Sequence, residues 1–452
     1  MKKIILLFMF LFFVSRVNAQ DAKLPQEVPP QESPKPKEEV KPSFKVGAFV
    51  QVQAQAFQEA ISAARQDTAS RHWGHEFQFR RLRLLGSGKL SDNTSFTFAT
   101  EVTGKIGNIN VNGQKYSPNY GDSSQTSQKT VIGILEAYVA HSFMPELSVH
   151  AGLQRAGVSR IQLQSSPKIA ELDASTYSSL QDKVFGTFSG RDFGANLRGF
   201  VLDEALEYRL GIFTGKTVNS KGGVPGYSEP MRVTGRVNYS FFDKEKDANY
   251  VDTYLGKGQY LSLGGGFDFQ SAYKSFGVDA FLDYPVTNDG SLKSLVSFVY
   301  YDGGTKTGSA LDKYFMTAVP RQYHIYADLG YYIKSLDLMP YAKFEYLVVD
   351  GKTEQLGLAD NASQDEIDYA NKIKATGSLS TTGAQSGPIR WGLGASWFFQ
   401  KYNSNLKLEY ANAAYYRAPL SSKQVKGPTG KPTVTETENA SEITLQWTWY
   451  FL

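Results

Sequence analysis

The sequence predicts an all-β chain that closes into a transmembrane antiparallel β-barrel of about 16 strands, and three observations carry that expectation. At the C-terminus, Ile443, Leu445, Trp447, Trp449 and Phe451 alternate with Glu442, Thr444, Gln446 and Thr448, which puts apolar and polar side chains on opposite faces of a strand. The same alternation recurs from Phe44 onward with hardly any helical segment to cover the apolar face, so lipid is left to cover it. Aromatic residues make up 13% of the chain, with 27 Tyr, 29 Phe and 41 Gly, yet mean hydropathy is only −0.34. A barrel in lipid has this composition because only every second strand residue must be apolar.

Residues 1–19 read as a signal peptide: Lys2 and Lys3 precede the apolar run Ile4 to Val14, and Val17-Asn18-Ala19 forms a small-residue cleavage site. The chain has no Cys, so neither a lipid-anchoring cysteine nor a disulfide framework is expected. Past Ala19 no apolar run reaches the roughly 18 residues of a spanning helix. Residues 20–43, with Pro29-Pro30 and Pro34-Lys35-Pro36-Lys37, are rich in Pro, Glu and Lys. Such a stretch buries too little apolar surface to offset its ordering entropy, and it reads as a periplasmic linker. The formal charge of +4 includes Lys2, Lys3 and Arg16 of the signal, leaving +1 on the remainder. Global charge therefore points to no nucleic acid or other polyanionic partner.

Residues 44–452 form the expected barrel. Short links occur at Ser91-Asp92-Asn93, Met144-Pro145-Glu146, Asp203-Glu204-Ala205, Ser335-Leu336-Asp337 and Lys401-Tyr402-Asn403, as in tight hairpins. Between them fall long Gly-, Ser-, Asn- and Lys-rich links at 106–130, 156–188, 215–229, 303–320, 350–387 and 415–438. The short links are periplasmic and the long ones external in a bacterial outer-membrane barrel, with both chain ends in the periplasm. Two links break the rhythm: 243–257 is long for a periplasmic turn, and Ser271 to Ser275 is short for an external loop. Phe77, Trp397, Trp447, Trp449 and Tyr450 are the expected interfacial aromatics.

Alternation sorts charges to the inside, because an arginine facing lipid at mid-bilayer costs about 2–4 kcal/mol. Arg81, Arg83, Arg198, Arg209, Arg232 and Arg236 come out inward, as do Lys343, Arg390 and Lys407. So do Glu101, Glu136, Asp192, Glu207, Asp268, Asp279, Asp283, Asp328, Glu345 and Glu409. Arginines crowd the first half of the barrel, and Asp268, Asp279, Asp283 and Asp328 crowd the next four strands. If those arcs face one another, they set a transverse field across a wet pore. Lumen arginines also pair with wall carboxylates, as Arg83 does with Glu101 across the turn near Asp92, and Arg232 and Arg236 lack an acid on their own strand.

Phe79-Arg80-Arg81-Leu82-Arg83-Leu84, Glu136-Ala137-Tyr138-Val139, Gly190-Arg191-Asp192-Phe193-Gly194, Tyr208-Arg209-Leu210-Gly211-Ile212-Phe213-Thr214-Gly215 and Arg232-Val233-Thr234-Gly235-Arg236 follow one another in an order that resembles the phosphate-selective porins O and P. The resemblance spans most of residues 44–452. It implies a Gram-negative outer-membrane porin, 16-stranded, homotrimeric and passively passing small anions such as phosphate, while the terminal Phe451-Leu452 resembles the signal read by the barrel assembly machinery. It also implies an inward-folded third loop, here about Arg155 to Ser189, carrying Lys168, Asp182 and Lys183. This segment departs from a purely basic lining, since Glu171, Asp173 and Asp182 sit beside its lysines.

No enzyme motif competes. The chain has no GxSxG elbow and no HExxH pair, and Gly215-Lys216-Thr217 has Leu210 where a phosphate loop opens with Gly. No catalytic residue, metal ligand or cofactor is expected. Gly264-Gly265-Gly266 lies in a strand, where small residues relieve barrel curvature. The rival reading is a weakly selective or gated channel or receptor, with a ligand bound by external loops such as Asp350 to Gly387 or with a plugged lumen.

Overall fold

The computed structural model describes residues 42–58, 73–103, 131–173, 175, 184–185, 190–218, 220–221, 224–225, 229–305, 308–319, 321–349, 361, 363–364, 389–416 and 437–452. Sixteen strands close into one antiparallel barrel. They are β1 (Ser43–Gln58), β2 (Trp73–Lys89), β3 (Thr94–Thr103), β4 (Val131–Met144), β5 (Leu147–Arg155), β6 (Arg191–Val201), β7 (Leu206–Phe213) and β8 (Arg232–Ser240). The second half is β9 (Tyr260–Gln270), β10 (Tyr273–Pro285), β11 (Gly290–Asp302), β12 (Gln322–Ile333), β13 (Leu338–Val349), β14 (Ile389–Trp397), β15 (Ser404–Tyr416) and β16 (Thr437–Phe451). Each pairs with its neighbours in sequence, and β16 closes on β1 with Val50 opposite Trp449 and Gln53 opposite Gln446. Closure leaves no sheet edge for lipid to solvate, which is why a β-chain can span a bilayer at all.

Alternation holds on the outer wall. Leu84, Phe193, Ile212, Val237, Leu263, Val278, Val296, Leu329, Leu393, Leu408 and Leu445 are exposed there, while the charged strand residues named above are turned inward. Phe77, Trp397 and Trp447 are exposed as expected of interfacial aromatics. Tyr450 is a correction. It stands opposite Phe49 in the register and meets that ring edge-on, on the inner face. It follows Trp449 by one residue, so the period of two sends the two rings to opposite sides.

The tight turns, the start of β1 and the end of β16 share one rim, and the connections depart from the short-and-long rhythm at the two places expected. Ser271 and Ala272 alone join β9 to β10, with Ser271 at φ 53°. The link 241–259 is long because it turns back into the barrel: Tyr250, Val251, Asp252 and Thr253 are all buried. From the external side, residues 156–173 also enter the lumen, where Val158, Arg160, Ile161, Leu163 and Ala170 are buried. An external helix, α1 (Ala310–Ala318), starts on a capping box between Ser309 and Asp312. It tucks Leu311 and Phe315 into a cluster with Val158, Val184, Phe185, Tyr273 and Tyr301. The barrel thus holds an apolar core of its own, against strands β9 to β13.

Candidate functional site

The inward loop is seated by glycine and arginine together. On β9, Gly264 and Gly266 face inward: a Cβ on Gly266 would lie 2.5 Å from Val158 O, and one on Gly264 would lie 2.3 Å from Arg236 Nη2. The triplet Gly264-Gly265-Gly266 therefore makes room for the loop and for a guanidinium, a different reason from the barrel curvature expected. Arg236 donates to both Asp279 oxygens at 2.7 Å, to Val158 O at 3.1 Å and to Tyr250 Oη at 3.2 Å. Arg232 donates to Asp268 at 2.8 and 2.7 Å, to Asp192 at 3.1 Å and to Ala156 O at 2.9 Å, with Phe185 stacked 3.8 Å away. Both side chains are sealed from solvent. The arginine and aspartate arcs do not face one another across open lumen. They adjoin, on β8, β9 and β10, and cancel there as ion pairs.

The link 241–259 meets the loop inside the barrel. Tyr250 pairs with Gln164 as a parallel bridge, with Tyr250 N donating to Leu163 O, Ser165 N to Tyr250 O and Asp252 N to Lys168 O. Arg160, fully buried, holds Glu245 with two hydrogen bonds of 2.8 and 2.6 Å and Val251 O with a third, over the Phe281 ring. Asp252 accepts from Gln164 Nε2 and Ala170 N. Below them Lys293 Nζ, at 0% exposure, lies 2.5 Å from Glu171, 2.7 Å from Asp328 and 2.9 Å from Asp252. One carboxylate comes from the loop, one from the link and one from the wall. Burial and the neighbouring Asp252 push the Glu171 carboxyl well above its ordinary value. Although burial opposes it, Lys293 holds Asp252 well below.

The arc β2 to β7 is built the other way. Arg155 stands directly opposite Arg191, and Arg198 opposite Arg209, which in turn is opposite Arg236. Like charges directly opposite destabilise a sheet unless a counter-charge bridges them. Glu136 bridges the first pair, at 2.5 Å from Arg191 and 3.5 Å from Arg155. Glu207 bridges the second, at 2.6 Å from Arg198 and 2.8 Å from Arg209. A bulge between Gln51 and Val52 in the β1–β2 register leaves Arg80 without a partner in β1 and turns it, with Arg81, onto Asp173 at 2.9 and 2.8 Å. Against the pull of burial, the two guanidiniums hold the Asp173 carboxyl far below its usual range. Arg83 and Glu101 pair one to one. Arg80 is 41% exposed and Arg81, Arg209 and Arg155 retain 10–12%, against 0% for Arg232 and 1% for Arg236.

Of the residues singled out from sequence, Arg81, Arg83, Arg198 and Arg209 thus lie together on this arc, while Arg232 and Arg236 lie under the loop. Lys168 pairs with Asp247 of the link at 3.1 Å; Asp182 and Lys183 lie outside the described residues. Sequence reasoning missed Arg80, hidden by the bulge, and Arg155 and Arg191 at the ends of their strands. It also missed Arg160, Glu245, Asp252 and Lys293, because nothing in the sequence shows two loops meeting. Glu171, Asp252 and Asp328 bring carboxylate oxygens within 4.8 Å of one another, and the Lys293 ammonium already lies within hydrogen-bond distance of all three. Ser175, His324 and Glu345 also meet, but Ser175 Oγ and Glu345 Oε2 both approach His324 Nε2, whereas a nucleophile's acid partner holds the opposite ring nitrogen.

Residues 50–267 match the sequence profile described as "Phosphate-selective porin O and P". No curated protein matches the chain. Among solved structures, Pseudomonas putida OprB aligns at TM-score 0.50 and 10% identity, over 90% of this chain and 94% of that one. An anion-selective porin from Comamonas acidovorans aligns at 0.48 and 11%, over 91% and 100%. The outer-membrane channel DcaP of Acinetobacter baumannii aligns at 0.47 and 12%, over 91% and 97%. At 10% identity the likeness to OprB speaks for the barrel fold alone.

Proposed function

We propose that the chain is a channel of the Gram-negative outer membrane, akin to the phosphate-selective porins O and P whose profile residues 50–267 match, and that it passes small anions along the β2–β7 arc. The observation that carries this reading is the pairing ratio. Asp173 is shared by Arg80 and Arg81, and Glu207 by Arg198 and Arg209, so two carboxylates meet four guanidiniums and this stretch of wall leans positive. A fold built for rigidity alone has no need of cross-strand arginine pairs, since an Arg–Glu pair in the same register is better. In a narrow lumen with low-dielectric walls such a surplus attracts and orders anions, and the planar fork of arginine suits oxyanions such as phosphate. Arg81, Arg198 and Arg209 are the lining groups of this proposal, joined by Arg80 and Arg155, while Arg83, buried against Glu101, is a partner within the wall. Arg232 and Arg236 take the role of loop anchors.

The proposal includes a cleaved signal over 1–19, a periplasmic linker over 20–43 and insertion by the barrel assembly machinery, as read from the sequence, and the homotrimer in outer-membrane lipid that the family resemblance implies. Phosphate titrated against the chloride current of the purified full chain tests the oxyanion part. Half-block at millimolar phosphate or below, weakened several-fold in Arg155→Ala with Arg209→Ala, is expected. A chloride current indifferent to phosphate leaves a general anion path and removes phosphate as its substrate.

A second reading, a gated channel, is favoured by one observation: a link from the periplasmic rim meets the external loop inside the lumen.

A further inference from the structure

We propose that the link 241–259 is a latch that closes on the inward loop from the periplasmic side, so that the channel alternates between a paired, narrow lumen and an unpaired, wider one. This rests on the chain being a channel and not on which ions it prefers.

The joint between the two segments differs from the packing of either segment on the wall. It is made of strand-like backbone pairing around Gln164 and Tyr250 and of buried ion pairs. Arg160 to Glu245 is one such pair, and Glu171 and Asp252 around Lys293 make the other. Withdrawing the link takes Glu245 and Val251 O from Arg160 and Asp252 from Lys293 in one step, while Lys293 keeps Glu171 and Asp328. The link also carries its own points of rotation, with Leu255 at φ 54°, Gly256 at φ 69° and Gly258 at φ 116°, just before β9 begins. The three segments that meet at Lys293 are held by one ammonium for three carboxylates. Glu171 faces Lys293 of β11, Asp328 of β12, Asp252 of the link, Lys407 of β15, whose Nζ donates to Glu171 O, and Tyr341 of β13.

That charge count gives the latch a direction in pH. The paired state binds the Glu171 proton more tightly than water-exposed glutamate does, since burial and Asp252 raise that carboxyl above its ordinary 4.5. The contribution is therefore whole below that value and is lost as pH rises through the raised one, when a further negative charge appears beside Asp252. Asp252, held low, stays ionised across this range and adds no opposing step.

The chain has no native Cys, so Gln164→Cys with Tyr250→Cys places a single disulfide across the bridge. Single-channel recording of the full chain is expected to show two conductance levels, the upper visited more often as pH is raised. Oxidation of the double variant is expected to hold it at the lower level, and reductant to release it. Should the cysteines fail to bridge, Glu171→Gln is the second reading: the upper level persists and its pH dependence disappears. One unchanging level in the native chain, equal visits to the upper level with the disulfide formed, or an unaltered pH response in Glu171→Gln overturns the latch. Reversal potentials, which report the anion path, are independent of all three outcomes.

Discussion

Two arcs of one barrel use the same side chains in opposite proportion. From β2 to β7, two arginines share each of Asp173, Glu136 and Glu207; at the packed side, Arg232 lies between Asp192 and Asp268, and Lys293 among Glu171, Asp252 and Asp328. In the proposed division, partly exposed cations that share one acid, as Arg80 and Arg81 share Asp173, make a lining that attracts, whereas carboxylates around a fully buried cation make a joint that locks. Residue type alone does not distinguish the two roles, because the deciding quantities are the local ratio and the access of water.

The difference is broken most severely at Lys293. Lys293→Met leaves three buried carboxylates without their cation, and removing one partner of a buried pair costs about 3–5 kcal/mol. A clear fall in the temperature at which the barrel unfolds in detergent, read by circular dichroism, is expected. Next is Gly266→Ala, whose Cβ would press on Val158 O at 2.5 Å and Gly235 O at 2.7 Å. Overpacking of this kind costs about 1–3 kcal/mol, and displacement of the loop is expected to raise single-channel conductance.

Arg232→Ala and Arg155→Ala sharpen the contrast between arcs. The first removes the shared cation of Asp192 and Asp268 and is expected to lower stability in the same assay while leaving the sign of ion preference intact. The second leaves Glu136 still held by Arg191 at 2.5 Å, so its stability cost is about 1 kcal/mol, yet the anion/cation permeability ratio is expected to fall. If Arg232→Ala shifts the ratio more than Arg155→Ala does, the division between lining and joint is wrong.

Much of the barrel was legible beforehand. A period of two is a local property, so β16 with its Trp447 and Trp449, the closing strand and the inward set of charges could be read directly. The inward direction of Arg232 and Arg236 was legible too, but not their partners, because Asp268 and Asp279 are brought to them by sheet register and Val158 O by a loop. The long link 243–257 was visible as an irregularity with no stated cause. Its cause is tertiary: Tyr250 and Asp252 find their partners on residues 163–170, and no sequence spacing encodes that meeting. Arg80 stayed hidden because a bulge inverts the face that strict alternation assigns.

The central claim, that the arginine-rich arc makes an anion path, is tested most directly by the reversal potential of the purified full chain in a planar bilayer under a KCl gradient. The account predicts a potential displaced toward the chloride equilibrium value, and less displaced in Arg155→Ala with Arg209→Ala. A potential at zero or toward the potassium value would contradict it, and would make the shared carboxylates of the arc full counterweights to their arginines.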